Sequence, residues 1–403
     1  MGPGRGPALP NVTLPSGNLT DRGIRRLMVA VFGGAFFLCA LGTLVILGAN
    51  FRFGTIIVAG LAAALPVPIY ASLILWLDRY EKEPAFLLAA AFLWGAVVAT
   101  FVSYFINTGI MVILHGILGA KLAGALSPAL SAPIVEETSK GFALLLLYFL
   151  AKNEFNDVVD GIVYGALVGL GFAMVENIIY FGRAYSAAGA AGLGYLFVMR
   201  VVFSGLIHPL FTGCTGAGLG YSRETTSGVR KLAAPVIGYF AAMLLHALWN
   251  GTGGLLDLSG VKMSPLGVLF VLVPGMMLIY GVPAMIALFM IAKAGWKREI
   301  AVIQDQLKDE IKRGTVLEGE YNLLTNTRDR FRHLLAAFSK HGPTGWLALR
   351  SLYEMQVDLA FRKAAEARGE KLPSYDVVLT VDGFRERIGL VRKRLSDMGV
   401  VTA

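Results

Sequence analysis

Glu136, Glu137 and Lys140 stand close together in the stretch Pro133-Ile134-Val135-Glu136-Glu137-Thr138-Ser139-Lys140, inside a long apolar run. Three later apolar runs carry similar intrusions. One holds Phe172-Ala173-Met174-Val175-Glu176-Asn177-Ile178-Ile179-Tyr180, the next His208 before Pro209, and the last His246 four residues before Asn250. At bilayer depth an ionisable side chain costs roughly 2.5–3.5 kcal/mol, so such groups face a bundle interior or a watery cavity. Carboxylates and imidazoles are what amide hydrolysis needs. A carboxylate takes a proton from water and hands it to the leaving nitrogen. An imidazole binds zinc, orients the water or stabilises an oxyanion, and the Asn250 amide is a donor of the same kind. Two histidines and one carboxylate satisfy a catalytic zinc with a position left for water. The sequence has no HExxH, which excludes a zincin helix.

Helical spacing limits how these groups are used. Adjacent residues lie about 100° apart around a helix, so Glu136 and Glu137 point in different directions. Lys140 is four residues from Glu136 and three from Glu137, and can pair with either. Whichever glutamate it leaves free is available for chemistry. Pro133 is expected to bend or loosen the helix just before the pair. Glu176 and Tyr180 share a face, as do His246 and Asn250. At 1.5 Å per residue, Glu136, Glu137 and His208 lie roughly 18–20 Å from the outer ends of their spans, and Glu176 and His246 roughly 7–9 Å.

The elements that must position them are membrane helices. The 403 residues are 56% hydrophobic with a mean hydropathy of +0.64 and only 16% charged, too apolar for a soluble core to hide. Spans of about 20 apolar residues read at 27–48, 54–77, 85–114, 124–150, 157–181, 195–220, 232–252 and 265–292. The fold class is therefore all-α: a polytopic membrane helical bundle of about eight transmembrane helices with a C-terminal soluble helical domain. Short-loop arginines and lysines favour the side that holds both chain ends, which places both termini in the cytoplasm.

Residues 293–403 hold 20 of the 36 Lys+Arg and 15 of the 27 Asp+Glu, the pattern of a solvated helical surface. Amphipathic stretches there fall near 296–313, 316–340, 344–368 and 377–398. The expected organisation is a cytoplasmic segment at 1–26, a catalytic bundle at 27–292 and a cytoplasmic helical domain at 293–403. That domain is a candidate for a cytosolic partner or for self-association. No nucleic-acid motif is present. Cys39 and Cys214 lie in apolar runs and exclude a disulfide framework. The N-terminus lacks the apolar core of a cleaved signal peptide.

Glu136-Glu137-Thr138-Ser139-Lys140 resembles the EExxK motif of the PrsW-type intramembrane metalloproteases. The Glu176-Asn177 pair and the later membrane histidines are similar to that family too. His246–Asn250 resembles the HxxxN motif of the related CAAX-processing and bacteriocin-processing endopeptidases. The resemblance covers roughly 65–255. The second motif of the CAAX type, a Phe three residues before a His, is not matched: Phe203 stands five before His208.

The resemblance implies an integral membrane endopeptidase of the bacterial plasma membrane, acting on membrane-protein or membrane-anchored peptide substrates. It implies Glu136 or Glu137 as the base, with Lys140 and Asn250 as further catalytic groups. Glu176, His208 and His246 would bind the metal, with Zn2+ as the candidate. Some relatives are read as glutamate-based without a tightly held metal, and both mechanisms are carried forward.

Two other readings compete. A proton- or cation-coupled secondary transporter would use the same carboxylates, but it expects an inverted repeat, and the sequence shows none. An inert scaffold would keep the charges only as interhelical ion pairs. The glycine clusters around 165–169 and 213–220 read as packing faces. His115 reads as an interface residue, and His333 and His341 as surface residues of the tail.

Overall fold

The computed structural model describes residues 19–152, 154–369 and 380–402, with side chains from Gly33 onward except Asp257, and every element among them is helical. Most of the N-terminal segment, residues 1–18, lies outside the described residues, as does 370–379, where the last tail stretch was expected to begin.

Among the described residues, six helical stretches are long and apolar enough to cross a membrane: Gly33–Asn50 within α1 (Leu19–Asn50), Phe53–Leu75 with α2 (Phe53–Ala64) and α3 (Val67–Leu75), Ala85–Leu150, Val158–Glu224, Gly228–Leu256 and Pro265–Arg313. Two of them are 66 and 67 residues long. As single rods they would reach about 100 Å, against a hydrocarbon core of about 30 Å. Each instead folds back on itself. The first contains α4 (Ala85–Leu93), α5 (Thr100–Leu126) and α6 (Ala132–Leu150), and the second contains α7 (Val158–Phe197) and α8 (Ile207–Glu224). The helix breaks at Gly119 (φ 78°) in one and at Ala188-Gly189 (Gly189 φ 58°) in the other, where a left-handed backbone turns the chain. Ser103 meets Ser139 at 2.9 Å and Asn107 meets Glu136 at 3.3 Å, so α5 and α6 run antiparallel. The six stretches thus make eight passes. Helix α9 (Gly228–Ser259) and the Val282–Arg313 helix complete the bundle.

Helix α7 is the hub. It is apolar on all sides, and every residue from Val158 to Ala173 is buried. A glycine stripe lets α8 lie against it. A Cβ on Gly161, Gly165 or Gly169 would sit 2.1, 2.5 or 2.4 Å from the backbone oxygens of Gly216, Thr212 and His208. Their reverse order shows that α7 and α8 are antiparallel, and their closeness fixes where His208 sits. Asp157 caps α7, accepting from the N–H groups of Val159 at 2.6 Å and Asp160 at 3.1 Å.

The helical backbone runs on through Pro133, since Ser131 and Ala132 are both in α-helical conformation, and the turn widens over Ser127–Ser131 just before the proline, which is the loosening expected there. Further widened turns at Trp94–Ala99 and Val198–Phe203 flank the same region.

Beyond Trp296 the last helix runs on into the tail without a break. There Ile303, Leu307, Leu324, Leu349, Leu352 and Ile388 form a separate apolar core. The expected 316–340 stretch is divided at Asn326, which caps the next helix through Asp329 N–H at 3.2 Å. The tail grips the bundle through Trp296 Nε1, which donates to Leu77 O at 2.8 Å, and through Arg330, which donates to Arg79 O. Lys82 pairs with Glu354 at 3.1 Å.

Candidate active site

Residues from α6, α7, α8 and α9 converge below the surface of the bundle. Glu137 and Lys140 are fully buried, and Glu136, His208 and His246 nearly so. Lys140 chooses Glu137: its Nζ donates to Glu137 Oε1 at 2.6 Å and stays 3.8 Å from Glu136 Oε2. Glu137 Oε1 also lies 2.9 Å from His246 Nδ1, and its Oε2 accepts from Thr212 Oγ1 at 3.0 Å. Both of its oxygens are therefore occupied.

Glu136 is placed differently. Its Oε1 accepts from Asn107 Nδ2 at 3.3 Å, while its Oε2 is buried with no hydrogen-bond partner and faces His246 Nε2 at 3.7 Å. Asn250 Nδ2 lies 3.1 Å from the same imidazole nitrogen, as the four-residue spacing on α9 allows. His208, in the first turn of α8, has Nε2 3.1 Å from Glu176 Oε2 and Nδ1 3.4 Å from Lys140 Nζ. Arg200 donates to Glu176, and its Nε donates to Asn177 Oδ1 at 2.6 Å.

Aromatic rings fix the imidazoles from the sides. Phe211 stacks on His246 with centroids 4.9 Å apart and planes 19° from parallel, and Phe172 lies 5.4 Å from His208. Phe172 also receives Lys140 Nζ 4.1 Å from its centroid.

Among the described residues, one group could hold a metal ion. Glu136, His208 and His246 each offer a donor atom, and these atoms lie within 4.8 Å of one another. The donor set fits a divalent cation. Three carboxylates face two fixed cations, Lys140 and Arg200, and the unpartnered Glu136 Oε2 is the atom left over. A buried oxygen without a partner is costly, and a cation removes that cost.

The structure thus brings Glu136, Glu137, Lys140, Glu176, His208, His246 and Asn250 into one site. It puts Glu176 against Arg200 and His208, outside the three-donor group. Sequence reasoning passed over Asn107, Thr212 and Arg200 as site residues. Thr212 stands one helical turn after His208. Arg200 is a lone cation in an apolar stretch. Asn107 offers only its polarity within a long span.

The sequence profile of the PrsW family intramembrane metalloprotease matches residues 83–286. Relatives called Protease PrsW include one from Geobacillus kaustophilus, 40% identical over 105 residues, which are 26% of this chain and 43% of that protein. The Oceanobacillus iheyensis protein is 27% identical over 202 residues, 49% of this chain and 81% of the relative. The Clostridioides difficile protein is 30% identical over 194 residues, 47% of this chain and 75% of the relative. The matched stretch thus spans less than half of the Geobacillus protein and most of the other two. No solved structure matches the chain.

Proposed function

The chain belongs to the PrsW family of intramembrane metalloproteases, and we propose that it hydrolyses peptide bonds of membrane-embedded substrates at the Glu136–His208–His246 cluster. One observation carries this reading: donor atoms from three separate helices lie within 4.8 Å in the interior of an integral membrane protein. A transporter relay would use the same carboxylates, but family membership favours hydrolysis.

Glu136 is the working carboxylate. In a metal-free reaction its free Oε2 takes the proton of the attacking water and returns it to the leaving amide nitrogen; with a metal held there, that oxygen would be a ligand instead. Glu137 holds His246 by its Nδ1 and keeps Nε2 turned toward Glu136. Lys140 neutralises Glu137 and fixes its rotamer. Asn250 offers an amide N–H to charge developing on the scissile carbonyl oxygen. A divalent metal, zinc by donor type, would be held by Glu136, His208 and His246, and when bound supplies Lewis acidity toward that water. This assigns the carboxylate ligand to Glu136 and leaves Glu176 behind His208.

The Lys/Arg asymmetry supports cytoplasmic termini, with 293–403 as a cytosolic domain. The test is a fluorescent single-span membrane reporter, co-reconstituted with the protein in liposomes. Glu136→Gln is expected to lower cleavage by at least about 100-fold, with unchanged expression and melting. Full cleavage by both Glu136→Gln and His246→Ala would end the proposal.

A further inference from the structure

Glu137 is one of two carboxylates that hold a site histidine. His246 turns Nδ1 to Glu137 at 2.9 Å and Nε2 toward Glu136. His208 turns Nε2 to Glu176 at 3.1 Å and Nδ1 toward Lys140. Each carboxylate has its own cation. Lys140 serves Glu137 from the same helix. Arg200 serves Glu176 from the widened turn at Val198–Phe203, which leads into the first turn of α8, where His208 sits.

Arg200 is held more firmly than a single ion pair would hold it. Its Nε donates to Asn177 Oδ1 at 2.6 Å, its Nη2 donates to Glu176, and its guanidinium carbon lies 4.1 Å from the Tyr180 ring centroid. Glu176, Asn177 and Tyr180 all belong to α7, so the arginine clips the turn before α8 to one face of the hub helix. Its planar fork serves Glu176 and Asn177 from two different nitrogens at once, a reach that one ammonium nitrogen does not reproduce.

From these contacts we infer that Arg200 is a positioning residue for the reaction. It holds Glu176, which fixes His208 with Nε2–H bonded to the carboxylate and Nδ1 turned to the interior of the site. The inference rests on the proposed protease reading only for its effect on rate. The tautomer itself is a property of the folded chain. Groups of this kind behind a histidine ligand typically change activity or metal affinity about 10–100-fold.

The chain has five histidines, so selective 15N-histidine labelling gives a short spectrum, in which His208→Asn identifies the His208 signals. The wild type is expected to show His208 protonated at Nε2. Arg200→Gln and Glu176→Gln should each abolish that preference, and the double variant should look like either single one. Arg200→Lys keeps the charge and folding but loses the Asn177 bond, and should fall between. Cleavage of the liposome reporter should drop about 10–100-fold in kcat, with KM unchanged, and the double variant should be no slower than Glu176→Gln.

An unchanged His208 spectrum in Arg200→Gln would overturn the inference, as would multiplying rate losses in the double variant. Glu136→Gln, with its spectrum compared to that of the wild type after metal removal from both, separates the two proposals, because it should stop cleavage and leave the His208 signal intact. Cleavage surviving in Glu136→Gln would remove the protease assignment and leave the Arg200 result standing.

Discussion

Glu137 Oε1 and His246 Nδ1 lie 2.9 Å apart although 109 residues separate them in the chain. Around this bond sits a fully buried ion pair with Lys140 at 2.6 Å. Breaking such a pair from one side leaves an uncompensated buried charge and costs roughly 3–5 kcal/mol.

Lys140→Met should therefore lower stability by about 3–5 kcal/mol, read as a large fall in melting temperature in detergent. The double variant Lys140→Met/Glu137→Leu should recover most of that loss while staying inactive, because His246 has then lost its anchor. A single variant that melts like the wild type would show that the pair is not desolvated.

Metal content should follow the three-donor cluster. Purified wild-type protein is expected to hold about one equivalent of zinc, the number a single site of two histidines and one carboxylate allows. His246→Ala and Glu136→Ala should hold much less, as read by mass spectrometry of the metal after dialysis. Glu176→Gln should lose affinity by about 10–100-fold and still bind, since Glu176 acts through His208. Equal zinc in wild type and His246→Ala would remove the metal assignment.

The α7–α8 contact should tie packing to activity. A Cβ on Gly169 would stand 2.4 Å from His208 O and 2.8 Å from Pro209 N, both backbone atoms that cannot swing away. Gly169→Ala should cost roughly 1–3 kcal/mol and reduce reporter cleavage more than the stability loss explains, because the backbone of His208 must move. Gly253 has nothing within 4 Å of a Cβ, and Gly253→Ala is the control, expected to leave both stability and cleavage unchanged.

Asp78, in the loop before α4, gives a pH signature. It is 5% exposed, and burial pushes its carboxyl up to about 7, against the pull of the Glu83 N–H and Lys82. A carboxyl whose folded pKa is raised keeps its proton after the unfolded chain has lost it. Stability is then fully present below about pH 4, falls as pH rises toward 7, and levels off above. The whole change is at most about 4 kcal/mol. Asp78→Asn can still accept the Glu83 N–H, so it should flatten melting temperature against pH between about 4 and 7 and raise it at pH 8. A variant with the wild-type pH slope would place the effect on another group.

The sequence alone determined that this chain crosses a membrane, and which residues are chemically out of place there. An apolar run long enough for a bilayer and a carboxylate inside it are both local properties. Spans, motif residues and the tail's charge pattern could therefore be read one stretch at a time. Tertiary structure decided everything that depends on two distant stretches meeting. Lys140 is in reach of both glutamates on a bare helix. Thr212 and His246, on α8 and α9, lie against Glu137, and Glu136 keeps an open oxygen. Depth estimates from straight helices scattered the site over about 10 Å. The turns at Gly119 and Gly189, the widened turns and the glycine stripe brought it together. The physical reason is that helical periodicity sets the direction of a side chain only within its own helix. Which helix it faces, and at what height, is set by close packing between backbones, which no single stretch of sequence contains.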